Sequence, residues 1–258
     1  MKKYSNIQME KELAEEIVNY TTLAKKYGTT RVTVRAYAKR LGFHKGNTKR
    51  LKSHTLDLSY FNNIDTASKA YVLGFIYADG CNTRKGLQIG IHEKDKEVLE
   101  FIKSELNISN SLRYISPYKS GWSYKWELSV KSIELSTILT NVGCPPAKSL
   151  ILQFPNFVSE RLMSHFIRGY FDGDGSITVC KKGYFRLSFV SASEHFIMGL
   201  KDYLEKKINC KIPLYKGKGY SLQTSKKSVV KAIVKLIYTD SVFNMKRKYE
   251  KAYPLLIE

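Results

Sequence analysis

Two ten-residue segments set ninety-five positions apart constrain this chain more than any other feature. Tyr71-Val72-Leu73-Gly74-Phe75-Ile76-Tyr77-Ala78-Asp79-Gly80 is echoed by Phe166-Ile167-Arg168-Gly169-Tyr170-Phe171-Asp172-Gly173-Asp174-Gly175. Each copy has a glycine six residues before a terminal glycine and an acid directly ahead of that last glycine. The stretches downstream of the two copies match as well. Leu87, Ile89 and Ile91 alternate in the first copy, and Phe185, Leu187 and Phe189 in the second, with the period of a half-buried strand. Val98-Leu99, Ile102-Lys103 and Leu106 then match Phe196-Ile197, Leu200-Lys201 and Leu204 as an amphipathic helix. A second hairpin comes next, with Tyr124, Trp126, Leu128 and Val130 alternating in one half and Tyr220, Leu222 and Thr224 in the other. Residues 133–142 and 229–238 close the halves as one more helix each. The order helix, two strands, helix, two strands, helix, met twice, predicts an α+β fold of two pseudo-symmetric halves, 66–158 and 159–258.

Charge separates the remainder. The 258 residues hold 43 Lys and Arg against 23 Asp and Glu, a net +20 that calls for a polyanionic partner. Residues 1–53 carry thirteen of the basic groups and four of the acidic ones, so the first fifth is a basic unit of its own. Within 1–43, segments closing at Ile17 and Val18, marked by Leu23, Ala24 and Tyr27, and marked by Val32, Val34, Tyr37, Ala38 and Leu41 read as three short helices. Gly28 with Thr29-Thr30 supplies a turn and a cap between the second and third. That pattern resembles a helix-turn-helix whose third helix would offer Thr30, Arg31, Thr33 and Arg35 to the major groove; a plain three-helix bundle with a basic face is the alternative. Residues 44–65 begin polar and basic without periodicity and read as a linker along phosphates. No run approaches the roughly twenty apolar residues that span a bilayer, and no secretory leader is visible, so a cytoplasmic, nucleoid or organellar location is expected and neither export nor a membrane. Cys81, Cys144, Cys180 and Cys210 contain no C-x-x-C pair, which argues against a zinc module or a disulfide framework.

The paired decapeptides resemble the two motifs of the LAGLIDADG (dodecapeptide) homing endonuclease family, in its two-motif monomeric form, over nearly all of residues 66–258. The resemblance implies two αββαββα halves about a pseudo-dyad, the motif helices packed together and two antiparallel sheets forming a saddle over DNA. It further implies that Asp79 and Asp174 hold Mg²⁺ (or Mn²⁺) over two scissile phosphates on opposite strands. Physical chemistry agrees: Gly74 and Gly169 lack the Cβ that would keep two helices apart, and Gly80 and Gly175 suit the left-handed position that ends a helix. A carboxylate at a helix C-terminus is disfavoured by the macrodipole, and a pair of them calls for a cation. Tyr77 stands where the family commonly has an acid, which leaves its counterpart Asp172 in a structural or supporting role. Arg168, on a helix meant to pack against its twin, must reach outward or pair with an acid.

Gly143-Cys144-Pro145-Pro146-Ala147-Lys148-Ser149 and Asn244-Met245-Lys246-Arg247-Lys248-Tyr249 resemble the family's end-of-repeat segments, from which a lysine reaches the active site. Lys148 is the first-half candidate. Lys246 and Lys248 compete in the second, with Lys246 preferred; phosphate anchoring is the alternative role for each. Glu93 and Ser191 are candidates to hold water near the metals. Strand alternation turns Gln88, His92, Lys125, Glu127, Arg186, Ser188, Ser221 and Gln223 away from the core, toward base edges, while hairpin-tip residues including Arg84, Lys85, Lys119, Lys181, Lys182, Lys216 and Lys218 supply phosphate contacts. The expected function is site-specific, metal-dependent double-strand DNA cleavage. The alternative is a non-cleaving binder on the same fold, either an intron RNA maturase or a transcription regulator. An intein is disfavoured, because the chain lacks the terminal nucleophile and His-Asn ending of protein splicing.

Overall fold

The computed structural model describes residues 6–14, 19–42, 55–117, 121, 123–180 and 183–257. Ile17, Val18, residues 44–54, Lys119, Lys181 and Lys182 therefore lie outside the described residues. The chain divides into two compact units, Met1–Ser53 and His54–Glu258.

In the first unit, helices α1 (Asn6–Leu13), α2 (Tyr20–Lys26) and α3 (Arg31–Arg40) gather around Leu13, Leu23, Ala24, Val34 and Ala38. Gly28, at φ +63°, makes the turn between α2 and α3 in a conformation that costs a glycine little. Thr30 then caps α3, its Oγ1 accepting from the Thr33 N–H at 3.2 Å. The Tyr37 hydroxyl ties α3 to α1 by donating to Glu10 at 2.6 Å. Arg31, Thr33 and Arg35 are exposed on α3, and between them Val32 leaves 77% of its surface open.

The second unit repeats itself. Its first half runs α4 (Ala67–Asp79), β1 (Gly80–Asn82), β2 (Gly86–His92), α5 (Lys96–Glu105), β3 (Arg113–Ile115), β4 (Lys125–Lys131) and α6 (Ile133–Asn141). Its second half runs α7 (Glu160–Asp174), β5 (Gly175–Val179), β6 (Phe185–Ser191), α8 (Glu194–Ile208), β7 (Leu214–Lys216), β8 (Tyr220–Thr224) and α9 (Lys227–Tyr238), followed by α10 (Lys246–Ala252) and α11 (Pro254–Ile257). The two antiparallel sheets have orders β1-β2-β4-β3 and β5-β6-β8-β7, and the registers correspond, with Gly80 opposite Ile89 and Gly175 opposite Phe189. Leu87, Ile89, Ile91, Leu128 and Val130 bury one face of the first sheet, and Ile177, Leu187, Phe189 and Leu222 one face of the second. The α+β duplication read from the sequence is thus the observed architecture.

Helices α4 and α7 form the centre of this unit. Residues 70–77 of α4 and 165–172 of α7 are buried without a break, as expected of helices enclosed on every side. Thr66 starts α4 by accepting from the Lys69 N–H at 3.2 Å. The seam between the helices is set by glycine: a Cβ on Gly74 would lie 2.0 Å from the Phe166 carbonyl oxygen, and one on Gly169 would lie 2.0 Å from that of Tyr71.

One expectation about the motif is corrected. Gly80 (φ −73°, ψ 133°) and Gly175 (φ −92°, ψ 163°) are extended, not left-handed. Each helix passes directly into a strand, so the chain turns without an αL residue. Glycine is needed there for space, since a Cβ would approach the carbonyl oxygens of Ile76 and Phe171 at 2.6 and 2.5 Å.

Candidate active site

Because α4 and α7 end side by side, their last residues share one place. A Cβ on Gly173 would come within 2.4 Å of the Ala78 Cβ and 3.4 Å of the Asp79 carboxylate, so the helix ends touch immediately beside Asp79 and Asp174. Asp79 opens to solvent at its tip, but the protein packed about its base and the facing Asp174 push its pKa up to about 6, against the pull of Lys248 and Lys148. Partial burial likewise raises Asp174, although Lys148, Lys248 and the Tyr170 hydroxyl favour its charged form. Two carboxylates held this way, at the negative ends of two helices, form a site that favours a cation.

A groove of about 710 Å³ opens beside them, lined by Tyr77, Lys148, Tyr170 and Asp174 and bordered by Lys216 at the end of β7 and Lys218 in the β7–β8 turn. Among the described residues, no group of three or more His, Cys, Asp or Glu side chains is placed to hold a metal. A divalent ion at Asp79 and Asp174 would therefore complete its shell with water and phosphate oxygens, which suits a hard cation such as Mg²⁺.

Each helix end is met by a buried lysine. Lys148 follows Ala147, whose left-handed φ of 57° turns the chain inward, and its Nζ donates to the Ala78 carbonyl at 3.0 Å. Lys248, in the first turn of α10, inserts beneath the end of α7. It donates to the carbonyls of Phe171, Asp172 and Gly173 at 2.7, 2.7 and 3.2 Å, and to that of Gly175 at 2.5 Å. Burial pulls the Lys248 pKa down to about 8. Lys246, the residue preferred from the sequence, is not at the site: its side chain is 79% exposed and lies 3.9 Å from Glu250. The correction follows from helix geometry. Two residues apart on α10 means opposite faces, and only the face bearing Lys248 is turned toward α7.

The position two residues before each acid ties the motif helix to the segment carrying its lysine. The Tyr77 hydroxyl donates to the Val142 carbonyl at 2.8 Å, and Gly143 leaves the room, since a Cβ there would sit 2.0 Å from that hydroxyl oxygen. Asp172 is wholly buried, accepting from the Met245 N–H at 2.7 Å, the Tyr71 hydroxyl at 2.8 Å and the Tyr238 hydroxyl at 3.3 Å. These bonds fix it between α7 and the chain ahead of α10, away from solvent. Arg168 behaves differently from expectation. It neither reaches solvent nor pairs with an acid, but is fully buried, donating to the carbonyls of Phe243 and Ile237 at 2.8 and 2.9 Å and lying 2.9 Å from His165 Nδ1. Ile237 in the last turn of α9 and Phe243 beyond it turn carbonyls toward its Nη1 and Nε, while its Nη2 has no hydrogen-bond partner among the described residues.

On the open faces of the sheets, Lys125 and Arg186 are exposed and Gln88 and Gln223 half-buried. Gln88 Nε2 donates to Glu127 Oε2 at 2.7 Å, and Arg113, which the pattern did not single out, pairs with Glu127 from the sheet edge. The second sheet differs: Val190 and Tyr215 are 43% and 56% exposed in the corresponding row. Ser191 accepts from the Ser193 N–H at 3.1 Å and borders the groove, whereas Glu93 is taken by the Tyr114 hydroxyl at 2.7 Å.

Comparison with known proteins bears on the duplicated unit. Residues 161–240 match the model of the LAGLIDADG-like domain. A probable translation initiation factor IF-2 of Methanocaldococcus jannaschii is 30% identical over 138 residues, 50% of this chain; the chain spans only 11% of that relative's length. Among solved structures, the N-terminal LAGLIDADG domain of DUF199/WhiA aligns over 70% of this chain and 89% of its own at 16% identity and TM-score 0.47. The I-LtrWI LAGLIDADG homing endonuclease bound to target DNA aligns over 77% and 90% at 12% identity and TM-score 0.47. The meganuclease I-SmaMI bound to uncleaveable DNA aligns over 73% and 88% at 15% identity and TM-score 0.47. Residues 161–240 are thus similar to a LAGLIDADG-like domain, and the preceding half of the unit has the same order of elements and the same sheet order.

Proposed function

We propose that this chain is a monomeric, site-specific double-strand DNA endonuclease of the homing type, which hydrolyses phosphodiesters with Mg²⁺ or Mn²⁺. The observation that carries the reading is the convergence of Asp79 and Asp174, one from each half, at the touching C-terminal ends of two helices, each flanked by a buried lysine. These two carboxylates fit a hard divalent cation, which when bound would polarise a phosphoryl oxygen and lower the pKa of water. Lys148 makes one bond, to Ala78, and borders the groove, so its remaining protons are available to a phosphate oxygen gaining negative charge. Lys248 has its protons committed to four carbonyls, and its charge acts by offsetting the end of α7 while it holds Asp174 in place. Gln88, Lys125, Arg186 and Gln223 read base edges from the two sheets, and the exposed face of α3 with Arg31, Thr33 and Arg35 extends the site from the first unit.

The test is substitution of the acids. Asp79→Asn and Asp174→Asn should each abolish double-strand cutting in Mg²⁺ yet leave site binding within about tenfold, since losing a carboxylate adds no repulsion toward phosphate. Full cutting by either variant would refute the assignment. A wild-type chain that binds DNA tightly and cuts none would place it among the non-cleaving binders instead.

A further inference from the structure

Helices α5 and α8 occupy equivalent positions in the two halves, and each is preceded by a cap residue, Asp95 and Ser193, ninety-eight positions apart. Asp is among the best residues at such a position because its carboxylate accepts from the first free N–H groups of its own helix. Asp95 makes no such bond. Its side chain is only 3% exposed, and both oxygens go to Arg247 of the other half, Oδ1 accepting from Nε at 3.0 Å and Oδ2 from NH2 at 2.9 Å. Arg247 directly precedes Lys248, whose ammonium holds the end of α7. The same first turn of α10 is held from its own half by the bond from the Met245 N–H to Asp172.

Ser193 mirrors this arrangement from the opposite side. It is fully buried, and its Oγ caps α8 while donating to the Leu152 carbonyl of the first half at 2.6 Å. Leu152 closes the turn that begins at Lys148, its N–H donating to the Lys148 carbonyl at 2.9 Å. Each half therefore braces the segment that carries the other half's lysine, by a bidentate ion pair in one direction and a single hydroxyl in the other.

We propose that Asp95 and Ser193 are reciprocal positioning residues, each holding in the opposite half the lysine-bearing turn that sets the geometry of that half's acid. This rests on the proposed nuclease activity for its consequence in cutting, but not for the link itself. If Asp95 acts through Arg247 and Lys248 on Asp174, and Ser193 through Leu152 on Lys148 and Asp79, the two residues govern different strands of the DNA.

Two measurements on the full chain test this. In the first, Asp95→Asn, Arg247→Met, Arg247→Lys and Ser193→Ala act at saturating protein on a supercoiled plasmid bearing a site that the wild type cuts, recovered from a randomised library, and on a linear duplex of the same site labelled at one end of either strand. Asp95→Asn and Arg247→Met should slow one and the same strand by at least about tenfold, so that a nicked circle accumulates, because displacements of about an ångström carry penalties of that order. Arg247→Lys should restore part of that rate, and Ser193→Ala should slow the opposite strand. Equal slowing of both strands, or the same strand slowed by Asp95→Asn and Ser193→Ala, overturns the proposal. The second measurement is amide hydrogen exchange without DNA, which needs no cleavage. Asp95→Asn should raise exchange in residues 246–252 and in 171–175 of the opposite half, and leave 144–150 as in the wild type. Exchange raised in α10 alone, or throughout the unit, overturns it; a wild type that cuts nothing defeats the nuclease reading and leaves this second measurement to decide the link.

Discussion

Gly169→Ala is the most informative single change for the core, because secondary-structure propensity and packing predict opposite signs. In an exposed helix, replacing glycine by alanine stabilises by about 1 kcal/mol. Here the new methyl would stand 2.0 Å from the Tyr71 carbonyl oxygen and 2.8 Å from the Phe75 nitrogen, both main-chain atoms of α4 that no rotamer change can move. Ordinary contact for a methyl carbon is about 3.5 Å, so α4 and α7 must part by roughly 1.5 Å at this point, and a gap of even 0.5–1 Å forfeits a quarter to a half of each dispersion contact along the seam. Overpacking of this kind costs about 1–3 kcal/mol where side chains adjust, and more where only backbone remains to yield. Taking about 3–5 kcal/mol for this backbone-limited case and deducting the propensity gain of about 1 kcal/mol, the net loss is about 2–4 kcal/mol, which lowers Tm by roughly 4–16 °C in a unit of this size. Scanning calorimetry reads it directly. Gly217→Ala is the control, since nothing lies within 4 Å of a Cβ there, and its Tm should stay within about 2 °C of the wild type. Because Gly74 faces the same seam, the double change with Gly74→Ala should cost less than the sum of the two singles, the helices having already separated. A Gly169→Ala protein that melts at or above the wild-type temperature would refute the close approach of the two helices.

Other expectations concern single side chains. Lys148→Met should reduce the cleavage rate by about 10²-fold with binding largely kept, while Lys246→Met should cut within about twofold of the wild type; equal losses would show that both act only through phosphate attraction. Burial raises the Glu205 carboxyl, but bonds from the Ile212 N–H, Lys211 and Lys201 outweigh it and hold the pKa at about 2, against 4.5 for an ordinary glutamate. Its contribution is therefore complete above about pH 4.5 and lost as pH falls through about 2, so the Tm deficit of Glu205→Gln should be largest near pH 7 and shrink between pH 5 and 2; a deficit independent of pH would mean that lost packing, not charge, is the cause. A chain beginning at His54 should still cut, with a footprint shortened at one end and a shallower fall of log K with log salt, by about 0.9 for each phosphate contact removed; an unchanged salt slope would show that the first unit does not touch the DNA.

The architecture of the duplicated unit was legible because its signals are local and occur twice: strand alternation at 87–91 is checked by 185–189, and the helix at 96–105 by the one at 194–208. Where the two copies agree, chance is a poor explanation. What escaped was set by tertiary contact. Lys246 and Lys248 are indistinguishable in composition, and the choice between them depends on which face of α10 meets α7, a fact of docking. Gly80 and Gly175 carry the usual marker of a left-handed helix end, yet their need is steric, because strand follows helix with no loop between. Arg168 violated the apolar pattern of its helix, and the sequence offered only solvent or an acid to receive it. The carbonyls of Ile237, in the last turn of α9, and of Phe243 beyond it were the third possibility, visible only once the chain around the end of α9 had been traced.

The divergence of Tyr77 and Asp172 shows what the duplication preserves. A tyrosine and an aspartate share neither charge nor shape, yet each makes a bond at 2.8 or 2.7 Å from the motif helix to the main chain ahead of its lysine. In the first half the side chain donates to a carbonyl, that of Val142; in the second it accepts from an N–H, that of Met245. The polarity of the bond has been exchanged and the mechanical link kept. A carboxylate buried at this position needs several donors to offset its desolvation, and Tyr238 and Met245 of the second half supply them together with Tyr71 of the first, with its pKa still pushed up to about 6 by burial. Tyrosine needs one acceptor and room for its ring, which Gly143 provides. Each solution thus has its own set of supporting residues, so exchanging Tyr77 and Asp172 alone would leave a carboxylate short of donors and a phenol facing an N–H. The common requirement is that a motif helix and its lysine move as one body, which is what two acids meeting at a single helix junction demand.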